Sequence, residues 1–163
     1  MTDIQIIDKV KELFDVLDKK NLTISSIESF TGGLFAAYIT SVPGSSKYFL
    51  GSIISYSCQV KENVLGISPN IIKSFGTVSK ETCEEMLKRG RRILKSDIVV
   101  SFTGNAGPNI DIGNKPVGLI YCGISINDIN HVLEYRLDMP RNEIRKFAVY
   151  EVLNKIIKFL SNE

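Results

Sequence analysis

The chain has 163 residues, 44% of them hydrophobic, with a formal net charge of +2. That length suits one domain with its own core rather than two, and that apolar content excludes a disordered chain. Acids and bases are interspersed, so no nucleic-acid footprint emerges. The densest basic cluster, Lys88-Arg-Gly-Arg-Arg92, falls on an amphipathic helix pattern and reads as a solvated face. The three cysteines, Cys58, Cys83 and Cys122, form neither a C-x-x-C pair nor a disulfide framework, which fits a reducing compartment. The N-terminus lacks a basic region followed by an apolar run, and no window reaches transmembrane length. A soluble, cytoplasmic chain without membrane partners is therefore expected.

In chain order, residues 2–20 form an amphipathic helix pattern. Thr2 and Gln5 have capping-box spacing, and Ile7, Val10, Phe14 and Leu17 recur on one face, with Asn21 at the C-terminal turn. A β-branched run (Thr23, Ile24, Ile27) then leads through Glu28 and Ser29 to Thr31, Gly32 and Gly33, and on to a short packed helix over 33–40. That order reads as strand, tight turn and helix start. Ser41-Val-Pro-Gly-Ser-Ser46 stops the helix. A second strand over 48–57, centred on 52–56, precedes a helix over 59–65 that ends at Gly66. A helical turn restarts at Pro69 behind a serine cap and runs to Phe75.

Ser79 caps the clearest helix, 80–95, whose buried stripe is Cys83, Met86, Leu87, Gly90 and Leu94. The near-continuous apolar run 97–103 predicts a central strand covered on both faces. A loop over 104–115 leads to a strand over 117–126. A hairpin turn at 127–130 pairs that strand with 131–139, antiparallel. Pro140 opens a final helix with Ile144, Ala148, Val152, Ile156 and Leu160 inward. Helices alternating with strands predict a single-domain, three-layer α/β/α sandwich on a mixed sheet.

The strand–turn–helix around Ser29 carries the most chemistry. A hydroxyl at such a tip stands clear of the sheet, beside helix N–H groups able to hold an anion or a developing oxyanion. Alternatively, Ser29-Phe-Thr is an N-cap and Gly32-Gly33 a flexible corner. The single histidine, His131, follows a hairpin and reads as a surface residue, so a Ser-His-Asp triad is not expected. No Cys/His cluster suits zinc, and the nucleotide motifs G-x-G-x-x-G and Walker A are absent. A nucleophilic Ser29 thus needs another base, and lysine serves where burial lowers its pKa. Tyr56 and Lys61 bracket a strand end and a helix start. With Ser29 and the loop after Thr103, they can face one crevice at the strands' carboxyl ends. Otherwise Lys61 is a solvated lysine, Tyr56 a packing aromatic and 103–108 a simple turn.

With these segments in register, the chain resembles the C-terminal domain of the competence/damage-inducible CinA family, also found alone as nicotinamide-nucleotide amidohydrolase. The matching pieces are Glu28-Ser-Phe-Thr-Gly-Gly33, Val42-Pro-Gly-Ser-Ser46, Tyr56-Ser-Cys-Gln-Val-Lys61 and Gly76-Thr-Val-Ser-Lys-Glu81. They continue with Thr103-Gly-Asn-Ala-Gly-Pro108, Lys115-Pro-Val-Gly118 and Arg141-Asn-Glu-Ile-Arg145, and together span roughly residues 5–160. The resemblance implies cofactor-free hydrolysis of the carboxamide of nicotinamide mononucleotide, with no metal. It implies Ser29 as nucleophile, activated by Lys61 directly or through Tyr56, and the amides around Thr31, Gly32 and Gly33 as oxyanion donors. It places the phosphate at the loop carrying Thr103, Gly104, Ala106 and Gly107, or at Arg145. It also implies one domain over 1–163, without the family's larger N-terminal domain; a homo-oligomer fits the apolar composition. The chain departs from the family at Phe30 (usually Cys), Cys58 (usually Asn), Asn105 (usually Ile) and at Asn109–Ile112, which replaces a glycine-rich run. Those departures keep open a second expectation, a non-catalytic nucleotide-binding or protein-interaction module.

Overall fold

Helix α1 (Asp3–Lys20) opens the computed structural model, which describes residues 1–162. Its N-terminus carries the expected capping box: Gln5 N–H donates to Thr2 Oγ1, and Thr2 N–H donates to Gln5 Oε1 at 2.8 Å. Asn21 closes the helix in the left-handed region, at φ 54°. The buried face is Ile6, Val10, Leu13, Phe14 and Leu17, while Ile7 is only half-buried. The expected stripe is widened because α1 packs against two helices, α2 (Leu34–Ser41) and α6 (Arg141–Ser161).

Five strands form one sheet in the order β2-β1-β3-β4-β5. They are β1 (Ile24–Glu28), β2 (Phe49–Ile54), β3 (Ile98–Gly104), β4 (Leu119–Ile126) and β5 (Ile129–Arg136). Strand β1 pairs parallel with β2 and β3, whereas β3–β4 and β4–β5 are antiparallel, so the sheet is mixed. Strand β3 is central, as its apolar run predicts. Strand β2 ends earlier than its composition suggests, because Ser57 turns away to cap α3 (Cys58–Asn63) by accepting the Val60 N–H. The β4–β5 turn is two residues rather than four. Asn127 and Asp128 both adopt positive φ (50° and 65°), the conformation that suits the twist of a tight hairpin.

The period-2 alternation of β3 divides the core. Ile98, Val100 and Phe102 pack with α1, α2 and α6; Val99 packs with Ile27, Met86 and Leu87 under α5 (Lys80–Leu94). Helix α4 (Pro69–Phe75) packs beside α5, completing the three layers. Each such wholly buried side chain contributes roughly 1.5–3 kcal/mol. Helix α5 approaches the sheet closely at Gly90, where an added Cβ would lie 2.6 Å from Ile27 Cγ1. Among the described residues no helix is long and apolar enough to cross a membrane.

The register brings three chain segments together. Glu28 pairs with Ile54 on one side and Phe102 on the other, so Ser29, Ser55 and Thr103 follow at one edge of the sheet. That edge is the carboxyl end of the parallel strands, where open α/β sheets form ligand crevices.

Candidate active site

Ser29 leaves β1 with its N–H bonded to Phe102 O at 3.0 Å, and its side chain turns toward α3. Lys61, on that short helix, lies beneath the serine with no exposed surface. Its Nζ is 2.9 Å from Ser29 Oγ and 3.2 Å from Tyr56 O, and it also bonds the Ser55 carbonyl. No carboxylate forms an ion pair with it among the described residues. Burial disfavours the ammonium and pulls the pKa from 10.5 down to about 8. As an ammonium, Lys61 donates to all three neighbours; once it loses a proton, its two N–H groups can stay with the two carbonyls, which only accept, and its lone pair can turn to the Ser29 O–H.

The turn after Ser29 is not a side-chain N-cap. Helix α2 starts at Leu34, with Gly33 at the cap position in the left-handed region (φ 95°) and no side-chain cap bond of its own. The cap comes from Glu28, wholly buried on the preceding strand. Its carboxylate accepts the N–H groups of Gly33 (2.9 Å), Phe35 (3.3 Å) and Ala36 (3.0 Å), and the Ser26 hydroxyl at 3.1 Å. A carboxylate five residues ahead of the cap position fits no linear capping motif, so only the fold exposes this role. The arrangement also changes which amides are open to a ligand. Gly33 N–H is spent on Glu28, and Gly32 N–H on Ser29 O at 2.9 Å. Phe30 and Thr31 retain backbone N–H groups with no partner among the described residues.

A cleft of about 170 Å³ opens over the serine, with Ser29, Tyr56, Thr103, Ala106, Asp111 and Arg141 among its walls. Tyr56, Lys61, Thr103, Gly104 and Ala106 thus gather near Ser29 as expected, but two side chains point elsewhere than anticipated. The Tyr56 ring is 60% exposed, and its hydroxyl accepts from Arg141 Nη2 at 3.1 Å; only its backbone carbonyl reaches Lys61. No phenol relay joins Ser29 to Lys61. Arg145 backs the turn from outside, donating to Phe30 O (3.1 Å), Thr31 O (2.8 Å) and Asn142 Oδ1 (3.1 Å). Two of its donors grip backbone carbonyls of the turn and a third holds Asn142, so it positions the turn.

The cation in the cleft is Arg141, in the first turn of α6, which bonds Gly107 O at 2.6 Å as well as Tyr56. Asn105 organises the 103–108 loop. Its Oδ1 accepts Gly107 N–H at 2.9 Å, and its Nδ2 donates to Asn109 O and Lys115 O. Thr103 Oγ1 donates to Thr77 O at 2.5 Å. The Asn105 N–H is bonded to Leu119 O, so this loop has few free amides for an anion. His131 lies on β5, at the opposite sheet edge from β2, half-buried with its ring 4.5 Å from that of Phe159. It takes no part in the cleft.

Residues 7–160 match the family model of the CinA C-terminal domain. A putative competence-damage inducible protein of Bacillus subtilis is 41% identical over 154 residues, covering 94% of this chain and 37% of that protein. A CinA-like protein of Leptospira borgpetersenii is 43% identical over 144 residues, covering 88% and 34% respectively. The chain thus spans little more than a third of the length of these relatives. Among solved structures, the competence/damage inducible protein CihA from Agrobacterium tumefaciens matches with a TM-score of 0.89 at 29% identity, covering 96% of each chain. A CinA superfamily protein from Klebsiella pneumoniae matches with a TM-score of 0.93 at 18% identity, covering 97% of this chain and 99% of that one, a likeness of fold. Over nearly its whole length, this chain belongs to the CinA C-terminal domain family.

Proposed function

We propose that the chain is a serine amidohydrolase that deamidates nicotinamide mononucleotide to nicotinate mononucleotide and ammonia. The observation that carries this reading is the buried Lys61 with its Nζ 2.9 Å from Ser29 Oγ. Burying an amine without a carboxylate partner is costly, and a module that only bound a nucleotide would have no use for that cost. The chemistry follows from the neutral amine. Lys61 accepts the Ser29 proton as Oγ attacks the amide carbon. The resulting ammonium then protonates the departing nitrogen, releasing ammonia and leaving an acyl ester on Ser29. Water attacks the ester with Lys61 again as base, regenerating the serine and releasing the carboxylate.

The developing oxyanion falls to the uncommitted Phe30 and Thr31 amides, each donor of this kind contributing roughly 3 kcal/mol. Arg145 holds both of their carbonyls and so fixes the turn that aims them. Tyr56 and Arg141 brace the loop across the cleft. Acid-quenching the wild-type protein during turnover and mapping peptides by mass spectrometry should find the acyl group on the Ser29 peptide. An adduct on another residue, or free product formed by a Ser29→Ala variant at the wild-type rate, would remove Ser29 from this role.

A further inference from the structure

The cleft over Ser29 encloses about 170 Å³, below the roughly 300–1,000 Å³ of most small-molecule sites. A carboxamide-bearing ring fits there; a ribose and phosphate need more room. The cleft continues into a groove of about 790 Å³, and the two share Tyr56, Thr77 and Asp111 as walls. The groove has apolar sides from Ile72, Phe75, Ile110 and Ile112. Ile110 and Ile112 belong to the segment that stands where the family has glycines, so side chains line the space in place of a backbone cradle.

Two further groove residues carry charge, Lys73 and Lys115. Neither forms an ion pair among the described residues. The Lys115 stem lies against Gly76, where an added Cβ would be 3.7 Å from Lys115 Cε. Asp111 stands at the junction, its Oδ1 accepting the Lys115 N–H at 2.6 Å. The cations nearer Ser29 already hold protein groups: Arg141 bonds Gly107 O and Tyr56 Oη, and Arg145 bonds Phe30 O and Thr31 O. Beyond Arg141, which shares the cleft with Ser29, the charges run from the carboxylate at the junction to two ammonium groups in the groove.

We infer that this groove is the phosphoribosyl subsite, with Asp111 facing the cationic pyridinium ring and Lys73 and Lys115 receiving the phosphomonoester. The inference rests on the Ser29 cleft being the carboxamide site. A carboxamide, a ring cation and a phosphate dianion occur in that same sequence along nicotinamide mononucleotide, so charge order and size both match.

The experiment is equilibrium binding by calorimetry to the Ser29→Ala protein, using three probes: nicotinamide mononucleotide, its riboside, and its reduced form, whose ring is uncharged. Lys73→Met with Lys115→Met should weaken the mononucleotide about tenfold and leave the riboside unchanged, with the loss shrinking at high salt. Asp111→Asn keeps the Lys115 hydrogen bond; it should weaken the mononucleotide and riboside several-fold while sparing the reduced form. Equal losses for mononucleotide and riboside in the lysine variant, no loss in either variant, or no mononucleotide binding at all would overturn the inference. Ammonia release by the wild type reports separately on deamidation. Release with binding indifferent to these residues sinks the groove alone; selective binding without release sinks deamidation alone.

Discussion

Replacing Lys61 by Met should remove both the catalytic base and a titration that the fold makes costly. The pKa shift from 10.5 to about 8 corresponds to about 3 kcal/mol of disfavoured ammonium. At pH 7 it leaves roughly a tenth of Lys61 neutral, against a few parts in ten thousand for an unshifted lysine. Wild-type kcat/KM for ammonia release should therefore rise with pH and level off above about 8, the value that burial imposes on Lys61. Lys61→Met should lower kcat/KM by roughly 10²–10⁴ and abolish that limb. Stability gives a second reading. Between about pH 8 and the unfolded value of 10.5, the unfolded chain binds the proton that the native lysine has lost. Wild-type unfolding free energy should thus gain up to about 3 kcal/mol across that window relative to the variant. Taking the difference between the two proteins cancels the opposing titrations of Cys83 and Tyr135, whose pKa values burial raises to about 12 and still higher. Urea unfolding from about pH 6.5 to about pH 10 measures the slope. Parallel stability curves for the two proteins, or an activity limb unchanged in the variant, would refute the account of Lys61.

Glu28→Gln should turn one acceptor of the buried cap into a donor facing N–H groups, costing about 1–3 kcal/mol in urea unfolding. Because the cap sets the turn that carries Ser29, kcat should fall more than KM rises; an unaltered kcat would separate the cap from catalysis. Gly90→Ala should destabilise by about 1–3 kcal/mol, since its Cβ would lie 2.6 Å from Ile27 Cγ1; an unchanged melting temperature would mean that α5 shifts freely. Arg145→Met should lower kcat while leaving the preference for nucleotide over riboside intact. Loss of that preference would make Arg145 a phosphate ligand instead of a brace.

The elements and their order were legible because they rest on local patterns. The capping box of α1, the serine caps of α4 and α5, and the near-continuous apolar run of β3 all act within a few residues. The approach of Ser29 to Lys61 was legible more indirectly, through strand ends that a parallel sheet must bring to one edge. What escaped depends on side-chain direction across the fold. Arg141 and Arg145 sit one helical turn apart, and only the packing of α6 decides which enters the cleft and which grips the turn. Tyr56 precedes the lysine as expected, yet its ring swings to Arg141 while its carbonyl stays with Lys61. Glu28 reads in sequence as the last residue of a strand; its cap of α2 exists because Gly32 and Gly33, both at positive φ, fold the helix start back over the strand end. Asn105 reads as a departure, and its side chain proves to replace by hydrogen bonds some of the order the loop needs.

The central claim is that Ser29 and Lys61 together hydrolyse a nucleotide carboxamide. Ammonia release from nicotinamide mononucleotide, measured side by side for the wild type and Ser29→Ala near pH 8, tests it most directly. The account predicts one ammonia and one nicotinate mononucleotide per substrate consumed by the wild type, and no release above background by a Ser29→Ala protein that still binds substrate. Release that survives in Ser29→Ala, or a folded wild type that releases none from about pH 6.5 to about pH 10, would contradict it.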